Sequence, residues 1–386
     1  MKTVYVDNNA TTRVAGEVTD EMIPLLGELY GNPSSMHAFG GSVGKKIAEA
    51  RAKTAALINA SPEEIVFTSC GTESDNTAIR AAIESNPDKK HIVTTRVEHP
   101  AIKNFCEYLL KTGWRVTFVP VDKKGRLDVG RLMESLNDDT AIVSVMWANN
   151  ESGVLFPVEE LSRAVSDRGI TFHTDAVQAA GKIPIDVSNS GVDMLSVSGH
   201  KIYAPKGVGA LYVRKGVKFS PVLIGGHQEK GRRGGTENTA SIVGFGKACE
   251  LAASHPGNEM AKVKRLRDRL EAGLVKRTPK AYINGDEKNR LPNTSNIAFE
   301  YVEGEAVLLM MDELGICASS GSACASGSLE PSHVLRSMGV PFTAAHGSIR
   351  FSLSVYNTEE EIDFIIEKVP PIIARLREMS PFWKES

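Results

Sequence analysis

Short apolar runs alternate with amphipathic, charge-rich stretches through the first two-thirds of the chain. Glu64–Thr68, His91–Thr95, Arg115–Val119, Thr140–Trp147, Thr171–Thr174, Met194–Val197 and Gly209–Val213 have the length and the β-branched content of strands. Between them Gly41–Asn59, Thr72–Ser85, Pro100–Thr112, Arg126–Leu136 and Pro157–Arg168 repeat their apolar positions with helical period. Strands and helices in alternation predict an α/β unit: a mostly parallel, doubly wound sheet with helices on both faces, and ligands beyond the carboxyl ends of its strands.

The pattern changes after about Asn238. A long helical stretch, Ile242–Arg277, carries the charge-dense run Lys262–Glu271, which reads as a solvated face. Strand-like Thr294–Phe299, helix-like Glu303–Leu314, strand-like Gly347–Leu353 and the amphipathic helix Thr358–Met379 follow. The chain thus divides into a large domain, residues 14–255, and a smaller α+β domain made of residues 1–13 with 256–386. No internal repeat interrupts this plan.

Composition narrows the function classes. The 386 residues are 41% hydrophobic and 24% charged, as in ordinary globular proteins, and the formal net charge of −2 offers no basic field to DNA or to anionic lipid. The N-terminus lacks a secretory pattern, and no apolar stretch reaches the roughly eighteen residues of a membrane span. The expectation is a cytoplasmic protein with neither a nucleic-acid nor a membrane partner. Five scattered cysteines, an odd number, read as reduced thiols rather than a disulfide framework, and none shows C-x2-C spacing.

One thiol stands out. Cys324 sits in Ser319-Ser320-Gly321-Ser322-Ala323-Cys324-Ala325-Ser326-Gly327-Ser328, a stretch with too little apolar surface for a core and too many flexible positions for a helix. It reads equally as a mobile loop carrying a nucleophile and as a small buried hydrophobe.

Four segments at strand ends look chemical. In Ile65–Asn76 an apolar strand turns through Gly71 into a helix at Thr72, an anion site by its free N–H groups and dipole, or a simple cap. Asp175 ends an apolar strand, where a carboxylate is costly unless it meets a cation or caps a helix. Lys201 follows Met194–Val197, where a partly desolvated lysine can form a Schiff base, and Ser198 and His200 beside it could hold a phosphate. His99, before a helix, could stack on a flat ring or be structural. No G-x-G-x-x-G follows the first strand, and Gly40–Lys46 fails the Walker A spacing. A phosphate cradle, a strand-end Asp and a strand-end Lys, in that order, are the needs of pyridoxal phosphate.

The segments Tyr5–Thr12, Gly31–Ser35, Gly71–Asn76, Glu98–Pro100, Asn149–Glu151, His173–Gln178, Ser198–Lys201, Gly234–Thr236 and the Cys324 loop together resemble the pyridoxal-phosphate cysteine desulfurases of the NifS/IscS type, a fold-type I, class V aminotransferase-like family. The resemblance runs nearly end to end. It implies that Lys201 holds the cofactor and shuttles the proton, that Asp175 pairs with the ring nitrogen, and that His99 stacks on the ring. It places Asn150 and Gln178 on the ring-oxygen side. Gly71, Thr72, Ser198, Gly199 and His200 are expected at the phosphate, joined by Thr236 from the other subunit of a homodimer. Arg350, in Ile349-Arg350-Phe351-Ser352-Leu353, would hold the substrate carboxylate with Asn32 and Asn150. Cys324 would take sulfur from L-cysteine as a persulfide, leaving alanine, and pass it to an iron–sulfur scaffold protein or another acceptor; as a persulfide it could itself ligate cluster iron. Ala325 and Ser354 depart from common family residues without removing a reactive group. Rival expectations are another pyridoxal-phosphate reaction, such as an aminotransferase or selenocysteine lyase, and a non-catalytic sulfur carrier.

Overall fold

In a computed structural model, which describes residues 3–320, 331–381 and 383, regular structure begins with β1 (Val4–Tyr5). Seven strands follow: β2 (Ile65–Thr68), β3 (His91–Thr95), β4 (Arg115–Val119), β5 (Thr140–Ser144), β6 (Thr171–Asp175), β7 (Met194–Ser198) and β8 (Gly209–Val213). They form one sheet in the order β2-β8-β7-β6-β5-β3-β4. All seven runs read from the sequence appear within a few residues of their expected ends. The sheet is parallel from β4 through β7, whereas β8 runs antiparallel to both its neighbours. The physical reason is connection length: residues 199–208 hold only a 3-10 turn, too short for the helical crossover a parallel partner needs.

Because this sheet is covered on both faces, its central strands are buried along their whole length rather than at alternate positions. One cluster, around Phe67, Val143, Phe172, Leu195 and Phe245, fills one side; a second, around Val66, Ile79, Ile92, Ile102 and Leu211, fills the other.

The remaining strands are β9 (Ala281–Ile283), β10 (Thr294–Phe299), β11 (Ile316–Cys317), β12 (Ser319–Ser320) and β13 (Ser348–Ser352). Four of them pair antiparallel in the order β12-β13-β10-β9, and β1 lies parallel to β11. Their own apolar cluster joins Val4 and Val6 to Leu266, Leu270, Phe299, Phe351, Ile365 and Ile373.

Two expectations change. The stretch Ile242–Arg277 is two helices, Thr239–Ala253 and Asn258–Arg277, because Pro256 lacks an N–H to continue the first and Gly257 takes φ 140° between them. The charge-dense run is not wholly solvated either: Arg267 and Glu271 face inward, where Arg290 meets Glu271 in a buried bidentate pair. Among the described residues no helix is long and apolar enough to cross a membrane.

Candidate active site

Strand ends of the large sheet converge on one cavity of about 310 Å³. Its lining includes Gly71, Thr72, His99, Asn150, Asp175, Gln178, Ser198, His200, Lys201 and Arg350, ten of the residues singled out in the sequence. Parallel strands point their carboxyl ends the same way, so loops far apart in the chain meet there.

The helix Gly71–Ser85 starts at the cavity wall. Its N-cap, Cys70, makes no side-chain cap bond, so the first-turn N–H groups stay open and Thr72 lies inside the helix rather than capping it. A Cβ on Gly71 would lie 2.9 Å from Val177 Cγ2 and 3.4 Å from Ser198 Cβ, filling the cradle. The Ser198 hydroxyl opposite is buried without a partner. An acidic group of a ligand would satisfy both.

Asp175 closes β6. Its Oδ1 accepts from the Val177 N–H at 2.9 Å, so it orders the following turn as well as lining the cavity. Asp75 approaches from behind; ligand atoms of Asp75, His99 and Asp175 all lie within 4.8 Å of one another. Burial, then the charge of Asp175, raises the Asp75 pKa well above the usual range. Burial also raises Asp175, but the Val177 N–H and the Lys201 charge work against it. A proton shared by this pair therefore rests on Asp75, and Asp175 remains the carboxylate facing the cavity. A metal ion could also sit among these three side chains, but a protonated Asp75 is a poor ligand for it.

His99 caps the helix Pro100–Lys111: its Nδ1 accepts from the Ala101 N–H at 3.2 Å. The neutral ring therefore carries its proton on Nε2. Burial, then Lys201 and His333, lowers its pKa to about 4, so the ring is neutral near pH 7. His200 is lowered to about 4 in the same way, mainly by burial, and its Nδ1 meets the Thr11 hydroxyl at 3.2 Å.

Lys201 reaches across to the N-terminal segment, where Nζ donates to the carbonyls of Asn9 and Ala10, both at 2.7 Å. Gln178 Nε2 donates to the same Asn9 carbonyl at 3.0 Å. Asn9 in turn is fastened by its side chain to Thr294 and Asn293. Arg350, on β13, donates from Nη2 to Asp7 and from Nη1 to the Asn150 carbonyl, and its Nε is buried unpartnered, as is Asn150 Oδ1. These open donors and acceptors suit a small amphoteric ligand with a carboxylate.

Three expected residues lie elsewhere. Gly199 gives its N–H to the Val208 carbonyl, and a Cβ there would meet Val208 at 2.8 Å, so it serves the turn between β7 and β8. Asn32 is exposed and accepts from the Ser34 N–H. Thr236 is exposed and absent from the cavity lining of its own chain. Cys324, including its expected role toward iron, lies outside the described residues. Asn9, Ala10, Cys70, Asp75, Met146 and Val177 complete the lining. Of these, Asn9, Ala10, Cys70, Asp75 and Val177 fall inside segments singled out in the sequence, but no local pattern marked them as facing a ligand.

A profile described as aminotransferase class-V matches residues 4–365. The chain is 58% identical over 384 residues to cysteine desulfurase NifS of Azotobacter vinelandii, covering 99% of this chain and 96% of that protein. It is likewise 58% identical over 382 residues to a cysteine desulfurase of Trichormus azollae, with the same coverage. Among solved structures, a NifS-like protein superimposes with a TM-score of 0.91 at 39% identity, over 97% of this chain and all of that one. SspA in complex with cysteine does so with a TM-score of 0.82 at 34% identity, over 92% of this chain and all of that one.

Proposed function

The chain belongs to the class-V aminotransferase family and, within it, to the NifS-type cysteine desulfurases, and we propose that its cavity binds pyridoxal 5'-phosphate and takes sulfur from L-cysteine onto Cys324. The observation that carries this reading is the meeting of Lys201, Asp175, His99 and Arg350 around one cavity. The orphaned Ser198 Oγ and the cradle kept open by Gly71 fit the cofactor. The open helix end with Thr72, Ser198 and His200 would hold its phosphate, Asp175 its ring nitrogen, Gln178 and Asn150 its ring oxygen, and Lys201 its aldehyde carbon. When bound, the cofactor supplies an electron sink for charge developing at the substrate Cα.

The protein's residues do the rest. Arg350 holds the substrate carboxylate through its open Nε. Lys201, whose position the Asn9 and Ala10 carbonyls define, takes the Cα proton and returns it. His99 presents an Nε2–H and is neutral at working pH, so it can donate to the substrate without repelling Lys201. Cys324 as thiolate attacks the substrate sulfur: an S–S bond forms, the C–S bond breaks, and its electron pair stays on carbon, which takes a proton to become alanine.

Thr236, exposed and away from its own cavity, supports a homodimer in which it completes the partner's phosphate site. Exposed Ile23, Leu26, Tyr30, Met36 and Ile224 supply apolar surface for such contacts. The apolar cluster that joins Val4 and Val6 to Leu266, Phe299 and Ile365 supports a smaller unit of residues 1–13 with 256–386 beside residues 14–255, although Leu291, Val334, Leu335, Met338 and Ala345 pack into the large unit's cluster. The persulfide would pass to an iron–sulfur scaffold protein or another thiol acceptor.

The test is incubation of the pyridoxal-phosphate-loaded protein with L-cysteine. Alanine should form with a matching quantity of persulfide sulfur, and mass spectrometry should find one added sulfur on the peptide holding Cys324. Alanine and persulfide formation surviving intact in Cys324→Ala would overturn the reading.

A further inference from the structure

Behind the cavity wall lies a lysine that the chemistry above does not use. Lys182 is buried, and its Nζ donates to the Gln178 backbone carbonyl and to Gln178 Oε1, both at 3.0 Å. The turn from Ala176 ends at Gly181, which takes φ 71° and packs against Ala252, returning Lys182 beneath Gln178. The charges acting on it most strongly are those of Lys201 and Arg350, both of its own sign. Burial and these two like charges lower its pKa to about 7, so the ammonium, whose bonds go to neutral oxygens, is fully held only when negative charge arrives nearby.

Gln178 is the residue between that ammonium and the cavity. Its Oε1 is occupied by Lys182, so its NH2 must point the other way, with one N–H on the Asn9 carbonyl at 3.0 Å. The flipped amide would set NH2 against an ammonium and leave two donors without an acceptor. One amide N–H therefore remains for a ligand oxygen at the cavity wall.

We propose that Lys182 is a positioning residue that locks Gln178 as a donor toward the cavity and, through its charge, strengthens that donation to the anionic ring oxygen of the cofactor. The inference rests on the pyridoxal-phosphate reading above. A cation behind an amide polarises it, so the N–H it presents is a stronger donor to an anion than an isolated amide would be.

The experiment reconstitutes full-length apoprotein with pyridoxal phosphate. It follows two readouts other than turnover: the cofactor's dissociation constant and the pH midpoint of its visible absorbance change. Lys182→Met should raise the midpoint by about one pH unit, a tenfold change in proton affinity, because the deprotonated form loses the cation that favours it. It should also weaken cofactor binding about tenfold. Lys182→Arg, keeping the charge, should stay near the parent values, and Lys201, His200 and Arg350 face the site unchanged in each variant. In a Gln178→Leu background Lys182→Met should add no further shift. If Lys182→Met does not fold, Lys182→Gln, a neutral donor, is judged by the same midpoint. A variant that melts earlier yet keeps the parent midpoint and affinity would make Lys182 a structural residue only. An equal shift in the Gln178→Leu background would overturn the route through the amide. Parent protein that takes up no cofactor would sink the pyridoxal-phosphate reading and this inference together, whereas a normal parent with an unaffected variant sinks the inference alone.

Discussion

Asp7 holds Arg350 from behind: Oδ1 accepts from Nη2 at 2.8 Å, across 343 positions of sequence. With Nη1 on the Asn150 carbonyl, two of the guanidinium's nitrogens are fixed, and the buried Nε is left for a ligand. Asp7→Asn keeps a hydrogen bond but removes the charge that aligns the fork. The expected outcome is a rise in KM for L-cysteine of roughly ten-fold, about 1.4 kcal/mol, with a smaller change in kcat. Steady-state kinetics over a range of L-cysteine concentrations check this. An unchanged KM with lowered kcat would place Asp7 elsewhere in the reaction.

Gly71 is required by space, not by backbone conformation. A methyl there would press on Val177 Cγ2 and narrow the cradle under Ser198. Gly71→Ala is expected to weaken pyridoxal-phosphate binding by about ten-fold, while the melting temperature of the apoprotein shifts little because Val177 can turn. Titration of apoprotein with cofactor, beside a thermal melt, separates the two.

The sequence carried the large sheet well because every strand except the edge strand β4 is buried along nearly its whole length and therefore announces itself as an apolar-rich run between helical patterns. It did not carry the direction of β8, which depends on how little chain lies between Ser198 and Gly209. Asp175 and Lys201 could be suspected because each charge stands at the end of an apolar strand. Asp7, Asn9 and Lys182 could not: nothing near them in sequence tells that Arg350, Lys201 and Gln178 will be their partners. The inward turn of Arg267 and Glu271 was hidden for another reason. A helix dense in charge looks solvated until the loop bearing Arg290 is folded against it.

That loop gives a stability prediction. Arg290 and Glu271 are buried and paired through both nitrogens and both oxygens, with the Arg267 guanidinium beside them on the Leu291 and Thr294 carbonyls. Removing Glu271 leaves the Arg290 charge buried without compensation beside Arg267, which keeps Asp268 as its partner. Glu271→Leu is expected to cost about 3–5 kcal/mol in denaturant unfolding, and Glu271→Leu with Arg290→Met much less. A single variant as stable as the parent would show that the pair contributes nothing.

Glu98, next to His99, gives a prediction in pH. It is buried; its Oε1 accepts from the Thr95 hydroxyl at 2.7 Å and the Met146 N–H at 3.1 Å, and its Oε2 has no partner. Burial raises its pKa from 4.5 to about 8. The folded protein therefore holds a proton there that the unfolded chain releases, so the stability tied to this proton is complete below 4.5 and is lost as pH rises to about 8. Other groups titrate in the same range: burial lowers Lys182 to about 7 and raises Glu151 to about 7. The difference between two proteins cancels them. Glu98→Gln keeps a neutral side chain of the same shape, so its stability relative to the parent should increase steadily across that window and level off above it. Thermal melts of both apoproteins at matched pH values measure the gap, and a gap independent of pH would mean that Glu98 is ionised in the folded protein throughout.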